Sequence, residues 1–245
     1  MLKRLYDKSR IWFAVLWIAA YCVLMSVGDE LSRLVGVEKC FTLGVGLTLS
    51  VLLLMFLKKY GLLKNYGLSL PKARGSEMLY YAPLVLMMGV NLIFGISISR
   101  RAPDAVFYVL SMLCVGFLEE LIFRGLLFEA MRKDSYKAAV IVSSLTFGFG
   151  HIINLLNGSG ADLGSNLLQV LYATVAGFMF VLVYLRSQSL LPCILAHGVF
   201  NALSVFTPER QSLMGSIVSS ALLVIITGLY ALYLALMNKR TVTKK

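Results

Sequence analysis

Long apolar runs alternate with short polar stretches along the whole chain. The runs cover residues 11–28, 40–57, 78–98, 105–131, 138–156, 167–185, 190–206 and 213–237. A helix needs about 20 apolar residues to cross a bilayer. The pattern therefore predicts an all-α, polytopic membrane protein, a bundle of about eight transmembrane helices forming one integral-membrane domain over 1–245. The runs at 138–156 and 190–206 are short, which suits helices packed inside the bundle. No small-residue cleavage site follows the first run, so it reads as a span and not as a removable signal. No internal repeat is visible.

Composition sharpens this picture. Hydrophobic residues make up 59% of the chain, charged residues 14%, and the mean hydropathy is +0.82. A soluble domain carries about a quarter charged residues and could not hide so much hydrocarbon. The net charge of +11 has a topological origin, because the basic residues sit between the apolar runs. With the N-terminus in the cytoplasm, 17 Lys and Arg fall in inner segments and 5 (Arg33, Lys39, Arg100, Arg101, Arg210) in outer ones. That bias predicts both termini inside. The chain's small size and lack of targeting additions point to a bacterial plasma membrane. No basic stripe with interleaved aromatics is present, which argues against nucleic acid as a partner. The connection around 58–77 reads either as a segment lying on the inner leaflet or as a plain basic loop. Cys22, Cys40, Cys114 and Cys193 lack metal-ligand spacing and read as small buried hydrophobes.

Within the apolar runs the polar residues are few. A charge near mid-membrane costs at least about 2.5–3.5 kcal/mol, so such groups usually face a cavity. Glu119, Glu120 and Arg124 lie in the fourth run, and both histidines of the chain, His151 and His197, lie in the fifth and seventh. Residues four apart share a helix face, which pairs Glu120 with Arg124, Phe147 with His151, and His197 with Asn201. Glu119 points roughly 100° away from Glu120. It is expected to stand free in a cavity while Glu120 neutralises Arg124. Gly116, Gly125, Gly148, Gly150 and Gly198 crowd the same runs and would let the helices approach closely. Other readings exist for each part alone: a structural ion pair, packing histidines, and an asparagine gluing two helices.

Three motifs emerge in order: Glu119-Glu120-x-x-x-Arg124, Phe147-x-x-x-His151 and His197-x-x-x-Asn201. On separate apolar runs they resemble the EExxxR, FxxxH and HxxxN motifs of the CPBP family (CAAX proteases and bacteriocin-processing enzymes, also called Abi), whose best-known branch is the Rce1-type prenyl-protein protease. The resemblance covers about 105–206, the catalytic core helices; the other runs match only in being apolar. It implies an eight-helix intramembrane endopeptidase. Glu119 would be the general base that activates water, held by Glu120 and Arg124. His151 and His197 would bind or polarise the water, Asn201 would stabilise the oxyanion, and Phe147 would shape the substrate pocket. Glu119, His151 and His197 would also make a zinc set with an open position, but HExxH is absent. A reaction without metal or other cofactor is the favoured expectation. The substrate would be a membrane-associated peptide or protein, such as a bacteriocin or pheromone leader. Two further functions fit the same residues: a proton-coupled transporter using Glu and His as a relay, and a non-catalytic regulatory membrane protein.

Overall fold

The structure is a computed structural model that describes residues 2–157, 162–208 and 213–242, with side chains to Met237. Arg210, Lys244 and Lys245, and the side chains of Lys239 and Arg240, lie outside the described residues. Helix α1 (Leu2–Lys8) leads into α2 (Arg10–Val35) and α3 (Cys40–Lys59). After a stretch of 3₁₀ turns come α4 (Ala82–Gly89), α5 (Ala102–Arg132), α6 (Tyr136–Leu155), α7 (Leu163–Ser187), α8 (Leu191–Phe206) and α9 (Leu213–Val242). Side chains set several starts: Ser9, Ser135 and Asp162 accept from the backbone N–H three residues on, at Trp12, Ala138 and Ser165.

Among the described residues, six helices are long and apolar enough to cross a membrane: α2, α3, α5, α6, α7 and α9. The bundle is all-helical and polytopic as expected, and of the about eight runs read as spans the one at 78–98 holds only a short helix. Helix α4 has only 8 residues, about 12 Å of rise against the roughly 30 Å of a hydrocarbon core. Pro83 sits in its first turn, and Leu79, Tyr80 and Tyr81 before it have φ of +50°, +52° and +58°. These left-handed residues cannot continue a helix, and hydropathy does not register them. The freed backbone is satisfied by protein, as apolar surroundings demand. Tyr230 Oη of α9 donates to Met78 O at 2.7 Å, and beyond α4 the Ser97 N–H donates to Phe206 O at 2.8 Å. The run at 190–206 is a short helix, as expected, and packs against both α4 and α5.

Contacts sort the connections onto two faces. One joins α1, the 60–74 segment and the α7–α8 turn: Tyr66 Oη donates to Tyr6 Oη at 2.9 Å, and the Lys72 N–H donates to Ser187 O at 2.8 Å. The 58–77 connection is therefore a docked segment rather than a plain loop. Burial, then the bond to Tyr6, pushes the Tyr66 phenol above its ordinary range and keeps it a neutral donor. The opposite face joins 33–38, 93–104 and 157. There the Glu38 N–H donates to Asp104 Oδ1 at 3.1 Å, Arg101 Nη2 reaches Gly36 O at 2.9 Å, and Arg100 pairs with Glu38.

The helices around the expected site meet through glycine. A Cβ at Gly116 of α5 would lie 2.5 Å from the Gly198 backbone of α8. One at Gly148 of α6 would lie 2.9 Å from Thr174 Cα of α7. Gly150, grouped with them in the sequence, has nothing within 4 Å and serves no close approach. Gly116→Ala is expected to lower stability by about 1–3 kcal/mol through overpacking, and Gly150→Ala to leave it unchanged. Reversible unfolding of both variants in detergent checks this.

Candidate active site

The fourth apolar run changes helix type at its charged residues. Helix α5 is α-helical to Glu119, π-helical over Glu120–Phe128 and α-helical again to Arg132. Every side chain of the π segment is buried. π-Helical stretches are rare and occur mostly at functional sites. The wider turn was not legible in the sequence, yet the pair expected from i, i+4 spacing survives it: Arg124 Nη1 donates to Glu120 Oε1 at 3.1 Å, with both side chains 0% exposed.

The guanidinium is held by rings as well as by charge. Its carbon lies 4.0 Å from the Phe147 ring centre and 5.4 Å from that of Phe180. Arg124 Nε, Arg124 Nη2 and Glu120 Oε2 are buried without a hydrogen-bond partner, so these π faces are what meets the rest of the cation. The same two rings clamp His197, which stacks on Phe180 at 5.5 Å and meets Phe147 edge-on at 5.6 Å.

His197 joins the two carboxylates. Its Nδ1 lies 2.8 Å from Glu120 Oε1 and its Nε2 lies 3.4 Å from Glu119 Oε2. The Nδ1 contact is a hydrogen bond whose direction depends on the tautomer, and the Nε2 contact is a longer electrostatic one. Arg124, Glu120, His197 and Glu119 thus form one contiguous polar chain across α5 and α8. Glu119 is not free, as the spacing argument expected. Tyr21 Oη of α2 donates to its Oε1 at 2.7 Å.

Beyond Glu119 lies a cavity of about 460 Å³. Glu119, Phe147, His151 and Asn201 all line it, whereas Glu120, Arg124 and His197 sit behind the wall. His197 thus faces the carboxylates and not the space where a water would bind. His151 takes the open position. Its Nδ1 lies 3.0 Å from Phe147 O, so an Nδ1–H donated there leaves Nε2 as an acceptor. Asn166 Nδ2 fixes the backbone beneath it, donating to His151 O at 2.9 Å. Further along the wall, Asn154 Nδ2 donates to Gln169 Oε1 at 3.0 Å.

The zinc set considered in the sequence does not come together. Both nitrogens of His197 face carboxylates, and His151 presents one nitrogen from a different wall. Among the described residues, no three His, Cys, Asp or Glu side chains converge as metal ligands.

Sequence reasoning missed Phe180 and Tyr21. Phe180 looks like any core aromatic. Tyr21 belongs to a stripe that was visible in principle: Tyr21, Cys22, Met25, Ser26 and Asp29 follow i, i+1, i+4, i+5, i+8 spacing and all line the cavity.

The fold and site together define a polytopic membrane protein with buried carboxylates, an arginine and a histidine in one cluster beside a cavity of mixed polar and apolar lining. Residues 101–203 match the family described as type II CAAX prenyl endopeptidase Rce1-like, and all three motifs fall within that segment. Neither a curated protein nor a solved structure matches the chain.

Proposed function

We propose that the protein is an intramembrane endopeptidase that hydrolyses a peptide bond of a membrane-associated substrate with water activated by Glu119. The observation that carries this reading is the position of Glu119, which lines a cavity together with His151 and Asn201 while Glu120, Arg124 and His197 form a chain behind it. The family description of residues 101–203 supports the same chemistry.

Glu119 takes a proton from water as the water oxygen bonds to the scissile carbonyl carbon. Asn201 donates from the cavity wall to the developing oxyanion. When the C–N bond breaks, the proton passes from Glu119 to the leaving amine. His151, with Nε2 free to accept, orients the water. Glu120, Arg124 and His197 keep Glu119 in place and compensate its charge. The reaction needs no metal under this proposal, since the nitrogens that would bind zinc are directed elsewhere.

The charge bias supports a topology with both termini in the cytoplasm, and a bacterial plasma membrane is the reading that the chain's small size supports. Purified protein in proteoliposomes tests the function with two probes: a prenylated CAAX peptide, the class in the family description, and an unprenylated set of membrane-anchored peptides read by mass spectrometry. Cleavage of either, with water added at the new ends and the rate unchanged by a chelator, is the expected result. Cleavage of neither overturns the peptidase reading. Loss of activity on chelation, restored by zinc, overturns the metal-free step.

A further inference from the structure

We propose that Tyr21 is a positioning residue for Glu119, supplied by α2 from outside the 101–203 segment that carries the family match. This rests on the peptidase reading above. The two oxygens of Glu119 are held from opposite helices. Oε1 accepts from Tyr21 Oη of α2 at 2.7 Å, and Oε2 faces His197 Nε2 of α8 at 3.4 Å. Oε2 is fully buried, and its contact with His197 Nε2 is electrostatic and not a hydrogen bond. A glutamate has three side-chain torsions, and one contact alone would let the carboxylate swing. Two contacts from different helices fix its plane.

The phenol has a packing role and a hydrogen-bonding role, and the two separate cleanly. Its ring is buried against the core at 9% exposure, and a phenylalanine would fill the same space. Only the hydroxyl depends on Glu119. Its donation also stabilises the ionised carboxylate that must accept the proton. On this reading α2 is part of the active site. It carries Tyr21 beside the carboxylate and Asp29 about 12 Å further along the same wall.

The test compares wild type, Tyr21→Phe and Glu119→Gln in proteoliposomes, using whichever of the two peptide probes the wild type cleaves, with kcat taken per folded molecule. The expected result is a 10- to 100-fold lower kcat for Tyr21→Phe, with KM within about twofold and the unfolding temperature unchanged. Wild-type kcat in Tyr21→Phe, while Glu119→Gln is silent, overturns the positioning role and leaves the peptidase reading standing. A raised KM with unchanged kcat also overturns it, because it would assign Tyr21 to substrate contact. So does a lower unfolding temperature with unchanged kcat, which would assign it to packing alone. Full activity in Glu119→Gln overturns the peptidase reading, and this role with it.

Discussion

Glu119→Gln is expected to abolish peptide cleavage, lowering kcat by about 10³-fold or more while the protein stays folded. The amide is nearly isosteric with the carboxylate. It can still accept from Tyr21 Oη, so the geometry around position 119 is preserved. What disappears is the ability to take a proton from water. Cleavage by wild type and variant at matched protein, with unfolding curves for each, checks both halves of the expectation. A variant that cleaves at the wild-type rate would remove Glu119 from the reaction. The transport reading would then regain its place, since a relay and a hydrolase share these residues but not this outcome.

Arg124→Ala is expected to have the largest effect on stability, about 3–5 kcal/mol. Glu120 would lose its guanidinium partner at a site where neither side chain has any exposure. His197 would remain 2.8 Å away, but the guanidinium that faces Glu120 would be gone. The loss would also empty the space between Phe147 and Phe180. Arg124→Lys separates these contributions, because it keeps the charge but not the flat face that lies on the rings. It should fall between wild type and Arg124→Ala when reversible unfolding is measured in bicelles.

The helical class and the six long spans were legible because hydropathy records burial in lipid directly. The Glu120–Arg124 pair was legible because both residues lie on one helix, where spacing determines which side chains meet. The bridge through His197 was not, since spacing within a helix says nothing about which helices face each other. For the same reason Tyr21, 98 residues from Glu119, looked like an ordinary aromatic in an apolar run. The broken segment at 78–98 escaped notice for a different reason: its apolar content resembles a span, and only the backbone angles at Leu79, Tyr80 and Tyr81 reveal that it is not one. The π-helix combined both problems, because i, i+4 contacts exist in either kind of turn.

The cavity has a direction. From Glu119 its wall runs along α2 to Asp29, Lys39 and Asn157, toward the face that also carries Arg33, Glu38 and Arg100. On the proposed topology, with both termini in the cytoplasm, that is the outer face. A substrate would then meet the enzyme only once its cleavage site had been exported, so proteolysis would follow translocation in time. The protein would act as a late trimmer of peptides already delivered across the bilayer, and the rate of export would limit how much it can cut.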